Sequence, residues 1–367
     1  CNFVKKIERK YMYIGGEKYN RFSFLVSKEN FSYEDFKSVS INEKVYESTY
    51  AFGGYYSIGI ILKDIKIPSN GHVLLPSYLC PSILLPFKRM NISYKFYRVN
   101  KNLEIDENDI VSKVNGNTKA ILFISYFGFQ SITDSVYNFC KESSLLIIQD
   151  EVHGDLSNNK AYGDYIYNSF RKYFPNDGSV IFSKNKIMQD KYTFFSRYKF
   201  YKILAQYLRY ICTRYDFCFG SINLKISTKA NKYYYDLQRN GMHIYDRFLL
   251  RKNNVKNIIK IRKKNYDNLF ADYNSVFPDG RQKSACPLFF PILVNNRDKV
   301  REILIENNIF APIHWSLPKD VNSVDFSDSH YLSKHIISIP IDEMVGEKEI
   351  QHIKKILSKK EIFRELL

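Results

Sequence analysis

Two residues in the middle of the chain have the types and spacing for amine chemistry at a carbonyl. Asp150 follows the apolar run Leu145 to Ile148, and Lys172 comes 22 residues after Asp150. A run so rich in large aliphatic side chains reads as a buried parallel strand. An acid at the end of such a strand sits where open α/β sheets place their ligand-binding residues. A lysine amine can form a Schiff base with a carbonyl carbon. A carboxylate can keep a pyridine nitrogen protonated, so that the ring draws electrons. The pair would therefore suit pyridoxal 5′-phosphate. Arg171, adjacent to Lys172, would favour the neutral amine by like-charge repulsion. The chain has 55 Lys and Arg residues, so the alternative is that Arg171 and Lys172 form an ordinary solvated loop pair.

The segments around the pair must hold it in place. A loop rich in Gly, Asn and Asp follows Glu151, then a short strand from Tyr165 to Tyr167, then Ser169-Phe170-Arg171-Lys172 and a turn from Pro175 to Ser179 into Val180-Ile181-Phe182. Upstream, Phe52-Gly53-Gly54-Tyr55-Tyr56-Ser57 precedes the apolar run Ile58 to Leu62. Two glycines at a helix start allow close backbone approach, and the free N–H groups there can bind an anion. The other reading is a plain helix cap. Val73-Leu74-Leu75, Asn91 to Tyr97 and Ala120 to Phe123 read as strands; Asp106 to Lys113 and Tyr137 to Lys141 read as helices. The strand, loop and helix cycle from 53 to 182 predicts a parallel sheet with covered faces.

Beyond that cycle, Leu204, Leu208, Ile211 and Cys212 have helical spacing and predict core or subunit packing. Lys225 to Tyr266 reads as long helices. In them Val255, Ile258, Ile259 and Ile261 form the buried side, and the run from Arg251 to Arg262-Lys263-Lys264 forms a solvated basic face. Pro287 to Val294 predicts a central strand, Asp298 to Asn307 a short helix, Ile309 to Trp315 a strand and loop, and Glu347 to Leu357 a closing helix. In the first 50 residues one helix is expected, opened by Ser32 or Glu34-Asp35.

Composition narrows the class. At 367 residues the chain can bury a sizeable core, as two domains or as one large domain with a smaller one appended. The net charge of +17 is spread along the sequence without a dense Arg tract, which reads as compositional background together with a phosphorylated substrate and argues against nucleic acid. No cleavable signal segment is visible, and no apolar run approaches the ~18 residues of a membrane span. Cys1, Cys80, Cys140, Cys212, Cys218 and Cys286 are scattered, with no metal-site spacing, so no metal and a reducing cytoplasm are expected. Residue 1 is Cys rather than Met, and the expectation is that the natural start lies upstream.

On these residues the chain resembles a divergent branch of the DegT/DnrJ/EryC/StrS family of PLP-dependent sugar aminotransferases. Asp150 falls on the family's pyridinium-holding acid, and His153 on the Gln/His that contacts the cofactor's phenolic oxygen. Ser169 falls on a phosphate-binding serine and Lys172 on the Schiff-base lysine. Gly163-Asp164 resembles the Gly-Asp before the active-site strand. The family's Ser-Gly-Thr/Arg phosphate cradle is replaced here by Gly53, Gly54 and Tyr55, which keeps the backbone contacts and alters the hydroxyl or guanidinium contact. Where relatives stack an aromatic residue on the ring, this chain has Cys80, with Tyr78 two residues earlier. Cys80 lying against the ring is the preferred reading, and Tyr78 reaching across is the other. His314 matches a Pro-Leu-His segment near the active-site mouth and would either touch substrate or satisfy packing.

The resemblance implies the α/β architecture of a fold type I PLP-dependent transferase. A mainly parallel, seven-stranded-type sheet would lie in a large domain over residues 1–240, and a connecting helix and small α/β domain over 241–367. It implies transfer of an amino group from an amino acid, glutamate or glutamine, to a nucleotide-linked keto-sugar in polysaccharide or other surface-glycan biosynthesis. It also implies a homodimer with composite sites. Two alternatives stand beside it: a member with lost or altered activity, suggested by the changed cradle and Cys80, and a sugar dehydratase, which Lys172 and the sparse cysteines argue against.

Overall fold

The computed structural model describes residues 14–15, 46–188, 196–215, 220–235, 241–250, 254–277 and 285–366. The helix expected near Ser32, and Cys1 and Cys218, lie outside them. A seven-stranded sheet carries the first half of the chain. Its members, in chain order, are β2 (Glu47–Ala51), β3 (His72–Pro76), β4 (Ser93–Tyr97), β5 (Thr118–Ile124), β6 (Leu146–Asp150), β7 (Tyr165–Tyr167) and β8 (Ser179–Ser183); β1 is the two-residue strand Ile14–Gly15. The spatial order is β2-β8-β7-β6-β5-β3-β4. Every neighbouring pair from β4 to β7 is parallel, and β8 runs antiparallel to both β7 and β2. This is the mainly parallel α/β sheet expected of a fold type I transferase, with β8 as its one reversed strand.

The helices between these strands are α1 (Gly54–Ile65), α2 (Leu84–Arg89), α3 (Glu107–Lys113) and α4 (Asp134–Glu142). Local sequence sets their starts. The Asp106 side chain accepts a hydrogen bond from Asp109 N at 3.0 Å, and the Thr133 hydroxyl accepts one from Val136 N at 3.2 Å. Each satisfies a first-turn N–H that the helix itself leaves open. On the sheet, Ile147 and Ile148 are fully buried, as are Ile121 and Leu122 of β5 beside them. The strands covered on both faces are thus the continuous apolar runs of the sequence.

After β8 come α5 (Arg197–Tyr215), α6 (Gly220–Tyr234), α7 (Ile244–Leu250) and α8 (Val255–Phe270). The expected long helices are therefore separate pieces, and α8 starts at Val255, where the Asn254 side chain accepts from Asn257 N at 3.1 Å. The solvated basic face expected along α8 fails at one position. Arg262 is almost fully buried, and its Nη1 donates to Leu288 O at 2.7 Å while Nη2 pairs with Glu343 at 3.3 Å. A buried guanidinium is stable only with such partners, and sequence alone does not display them.

The remainder builds a smaller layer. Strand β9 (Phe289–Leu293) pairs antiparallel with β11 (Ile336–Pro340), and β10 (Ile309–Phe310) pairs parallel with β1. Helices α9 (Arg297–Glu306), α10 (Ser327–His335) and α11 (Glu347–Leu357) pack around them. No described helix is long and apolar enough to cross a membrane.

Candidate active site

The carboxyl ends of β5, β6 and β7 meet the start of α1 at a small cavity. Its wall includes Ile124, Asp150, Tyr167, Gly54, Tyr55, Ser169 and Lys172. Asp150 is 4% exposed; its Oδ1 accepts from Val152 N at 2.8 Å, and its Oδ2 accepts from the Tyr167 hydroxyl. Burial, opposed by those two hydrogen bonds, pushes its pKa up to about 7. Such a carboxyl gains from a cationic partner, which the ring nitrogen of a pyridine would be. The neighbouring Glu151 has a different task. It accepts from Ser125 Oγ at 2.7 Å, Gln149 Nε2 at 2.6 Å and Asn159 Nδ2 at 2.9 Å, and so ties the loop after β6 to the strand.

Lys172 is presented by the one-turn 3₁₀ segment Phe170–Lys172. Phe170 is fully buried and its N–H donates to Gly178 O at 3.0 Å, which pins this turn to the next one. Gly178 has φ +112°, and a Cβ there would come within 2.7 Å of Met242 Cε. The loop closure therefore requires glycine. The Lys172 residue as a whole is half-buried, and the pKa of its amine is brought down to about 8, first by burial and then by Arg171, with Cys80 and Asp150 acting the other way. The like-charge effect of Arg171 exists, as the second cause.

At the opposite wall, Gly53 caps α1 and its carbonyl accepts from Tyr56 N at 2.9 Å and Ser57 N at 3.0 Å. The N–H groups of Gly54 and Tyr55 belong to the turn that finds no intrahelical acceptor. Gly53 itself is not among the residues lining the cavity; any Cβ on it would collide with the Tyr234 hydroxyl. A Cβ on Gly54 would lie 3.7 Å from Ser169 Cβ, so the serine sits against the helix start. His153, 2% exposed, lines the cavity, and neither of its ring nitrogens has a hydrogen-bond partner. Buried imidazoles normally do, and a ligand oxygen in the cavity would supply one.

Cys80 lines the cavity, its Sγ 3.0 Å from Ser82 Oγ. Tyr78 is not brought to the wall. It is fully buried, its hydroxyl donating to His314 O and accepting from Trp315 N at 3.0 Å. That engagement holds Trp315, the chain's single tryptophan, against the cavity, with its ring stacked on His153 at 5.1 Å and 28°. His314 lies deeper, its Nδ1 2.9 Å from Ser338 Oγ. Burial, then the charge of Lys172, holds its imidazole well below the usual range.

A second cavity of about 400 Å³ opens on the other side of Lys172 and shares Arg171 with the first. Lys202, Arg262, Arg301, His314 and Asp342 line it. Among its described residues, the basic, aromatic stretch from 191 to 215 does not supply this wall with arginines. Neither Arg197 nor Arg209 lines this cavity, and Arg209 donates to Gly15 O at 3.0 Å instead; the Arg214 side chain lies outside the described residues. Trp315, Tyr235, Arg262 and Arg301 were missed as site residues. Only Trp315 carried a signal, as the sole tryptophan beside a candidate histidine. Among the described residues no cluster of three or more His, Cys, Asp or Glu could hold a metal.

Comparison with known proteins bears on the same region. Residues 56–167 match the DegT/DnrJ/EryC1/StrS aminotransferase family. That match spans less than a third of the chain. A Vibrio cholerae GDP-perosamine synthase is 22% identical over 157 residues, 40% of this chain and 43% of that protein, so the chain aligns with less than half of the curated relative's length. Among solved structures, the Helicobacter pylori aminotransferase PseC, involved in the biosynthesis of pseudoaminic acid, superposes with TM-score 0.65 at 14% identity, over 94% of this chain and 98% of that one. A DegT/DnrJ/EryC1/StrS aminotransferase from Brucella abortus does so with TM-score 0.60 at 14% identity, over 89% and 90%. The Streptococcus pneumoniae putative sugar aminotransferase Spr1654, in its PMP form, gives TM-score 0.65 at 11% identity, over 90% and 91%. The fold is thus shared across nearly the whole chain.

Proposed function

We propose that the chain is a PLP-dependent aminotransferase that moves an amino group from an amino acid to a keto-sugar. The observation that carries this reading is one cavity holding Lys172, Asp150, Ser169, the α1 N-terminus and the two unpartnered ring nitrogens of His153. Pyridoxal phosphate bound there would supply an electron sink that acidifies the donor's Cα–H. Asp150 would hold the positive charge of its ring nitrogen, and His153 would hydrogen-bond its phenolic oxygen. Ser169 with the Gly54 and Tyr55 N–H groups would hold its phosphate. Gly53 keeps that helix start open. Val152 and Cys80, on separate segments of the cavity wall, would bound the ring.

Lys172 would bind the cofactor's carbonyl carbon and, once freed, take the proton from the donor Cα. An amine with pKa about 8 is poised for that work near neutral pH. The larger cavity beside Lys172 would take the acceptor, and its cationic wall suits a phosphorylated sugar, nucleotide-linked in our reading. His314 lies on that side. Tyr78 would act through Trp315 rather than on substrate. The perosamine synthase and PseC likenesses support a sugar as acceptor. Glutamate or glutamine as donor, a surface-glycan product and a cytoplasmic location complete the proposal. So does a division into a large unit over 1–240 and a small one over 241–367.

We also infer a homodimer. Phe200, Ile203 and Tyr207 lie on one face of α5 and are 59%, 40% and 48% exposed, a stripe of the kind subunit contacts cover. A monomer's core would have buried them.

The test is chemical. Protein reconstituted with pyridoxal phosphate and reduced with borohydride should carry one cofactor per chain on Lys172, located by peptide mass, and K172A should carry none. Failure to retain stoichiometric cofactor would refute the reading. Retention without turnover across a broad panel of amino donors and keto-sugars would point to a member with lost activity.

A further inference from the structure

The smaller cavity must neutralise a phosphate dianion if the cofactor reading holds, and this inference rests on that reading. A helix N-terminus contributes about half a unit charge. The cations lining the cavity are Lys172 and Arg171. Lys172 is committed to the carbonyl carbon, which leaves Arg171.

Nothing acidic among the described residues claims this guanidinium. The carboxylate whose charge acts on it, Asp177, is already held by Lys199 at 3.2 Å and by Lys202. Arg171 rests instead on the ring face of Tyr234, 4.9 Å from the ring centroid. Tyr234 is fixed in turn. Its backbone carbonyl accepts from the Tyr56 hydroxyl, its own hydroxyl abuts Gly53, and its ring meets Tyr198 edge-on at 5.1 Å. The platform thus stands on the first turn of α1, and it holds a planar cation beside the cavity that Gly54, Tyr55 and Ser169 line. His153, buried with both nitrogens unpartnered on the same cavity, independently marks it as built for a ligand.

We propose that Arg171 is the counter-ion of the cofactor phosphate, oriented by the Tyr234 face and acting with Ser169 and the Gly54 and Tyr55 N–H groups. Bulk and charge that the α1 start does not supply from its own side chains come from the residue next to the reactive lysine.

The experiment titrates cofactor-free protein with pyridoxal 5′-phosphate and, separately, with pyridoxal, which lacks the phosphate. Binding is read from the fluorescence of the single tryptophan, Trp315. R171Q should weaken pyridoxal phosphate by about tenfold or more, leave pyridoxal within about twofold, and abolish the protection that millimolar inorganic phosphate gives against pyridoxal phosphate binding. R171K, a point charge without the fork, should fall between. Thermal unfolding of the ligand-free variants checks folding, and if R171Q is unstable R171K carries the same comparison. Unchanged affinity for pyridoxal phosphate overturns the inference. Equal losses for both ligands also overturn it, because Arg171 would then act through the Lys172 amine. If the unsubstituted protein binds neither ligand, the cofactor reading falls and the inference with it.

Discussion

Asp150→Asn should have opposite effects on stability with and without cofactor. In the cofactor-free protein, burial raises the Asp150 pKa from an ordinary value near 4 to about 7. The folded state therefore holds a proton on Asp150 that the unfolded chain releases near pH 4. Because the folded state binds the extra proton, stability falls as pH rises between these values and levels off above about 7. Three pH units at about 1.4 kcal/mol each set a ceiling of roughly 4 kcal/mol. Asparagine carries no such charge, keeps an acceptor for Val152 N–H, and offers its amide to the Tyr167 hydroxyl. Urea unfolding at half-unit steps from pH 4.5 to 8 should show the cofactor-free wild type losing about 2–4 kcal/mol relative to D150N across that window. Saturating pyridoxal phosphate should reverse the order at pH 8, since only the carboxylate meets a pyridinium with opposite charge. Parallel curves for the two cofactor-free proteins, within about 0.5 kcal/mol, would refute the burial argument.

Three other outcomes are expected. Capture of pyridoxal phosphate by Lys172, followed by stopped-flow absorbance, should fall about tenfold per pH unit below about 8 and plateau above it, because only the neutral amine attacks; a midpoint near 10 would show an unperturbed lysine. Fluorescence of Trp315 should be strongly quenched on cofactor binding, given that Trp315 lines the cavity; an unchanged signal in cofactor-loaded protein would place the ligand elsewhere. Phe200→Asp should convert the dimer to monomer in sedimentation at micromolar protein, with little change in the unfolding midpoint of the monomer, since Phe200 is 59% exposed; a wild-type monomer, or an F200D dimer, would refute the interface.

The sequence by itself determined those features whose physics is local. A β-branched and aliphatic run too apolar for one-sided burial specified β6, and its terminal acid specified where Asp150 stands. Asp106 marked a helix start because a side-chain oxygen three residues ahead of an N–H caps it in any context. The family resemblance carried by Asp150, His153, Ser169 and Lys172 was enough to expect them in one place, and they line one cavity. Tertiary structure decided what depends on segments distant in sequence. Trp315 reaches a cavity built mostly from residues 54–172 because Tyr78, 237 residues away, holds its backbone. Arg262 stands within a basic run that periodicity leaves on the surface, and only the Leu288 carbonyl, just before β9, and Glu343 make its burial tolerable. Arg171 and Lys199 look alike as basic residues near aromatics. One is left with an aromatic face while the other is locked between Asp177 and Asp246, because α7 returns beneath the loop after Lys172. A charge's partners are set by the three-dimensional path of the chain, and its neighbours in sequence carry no record of them.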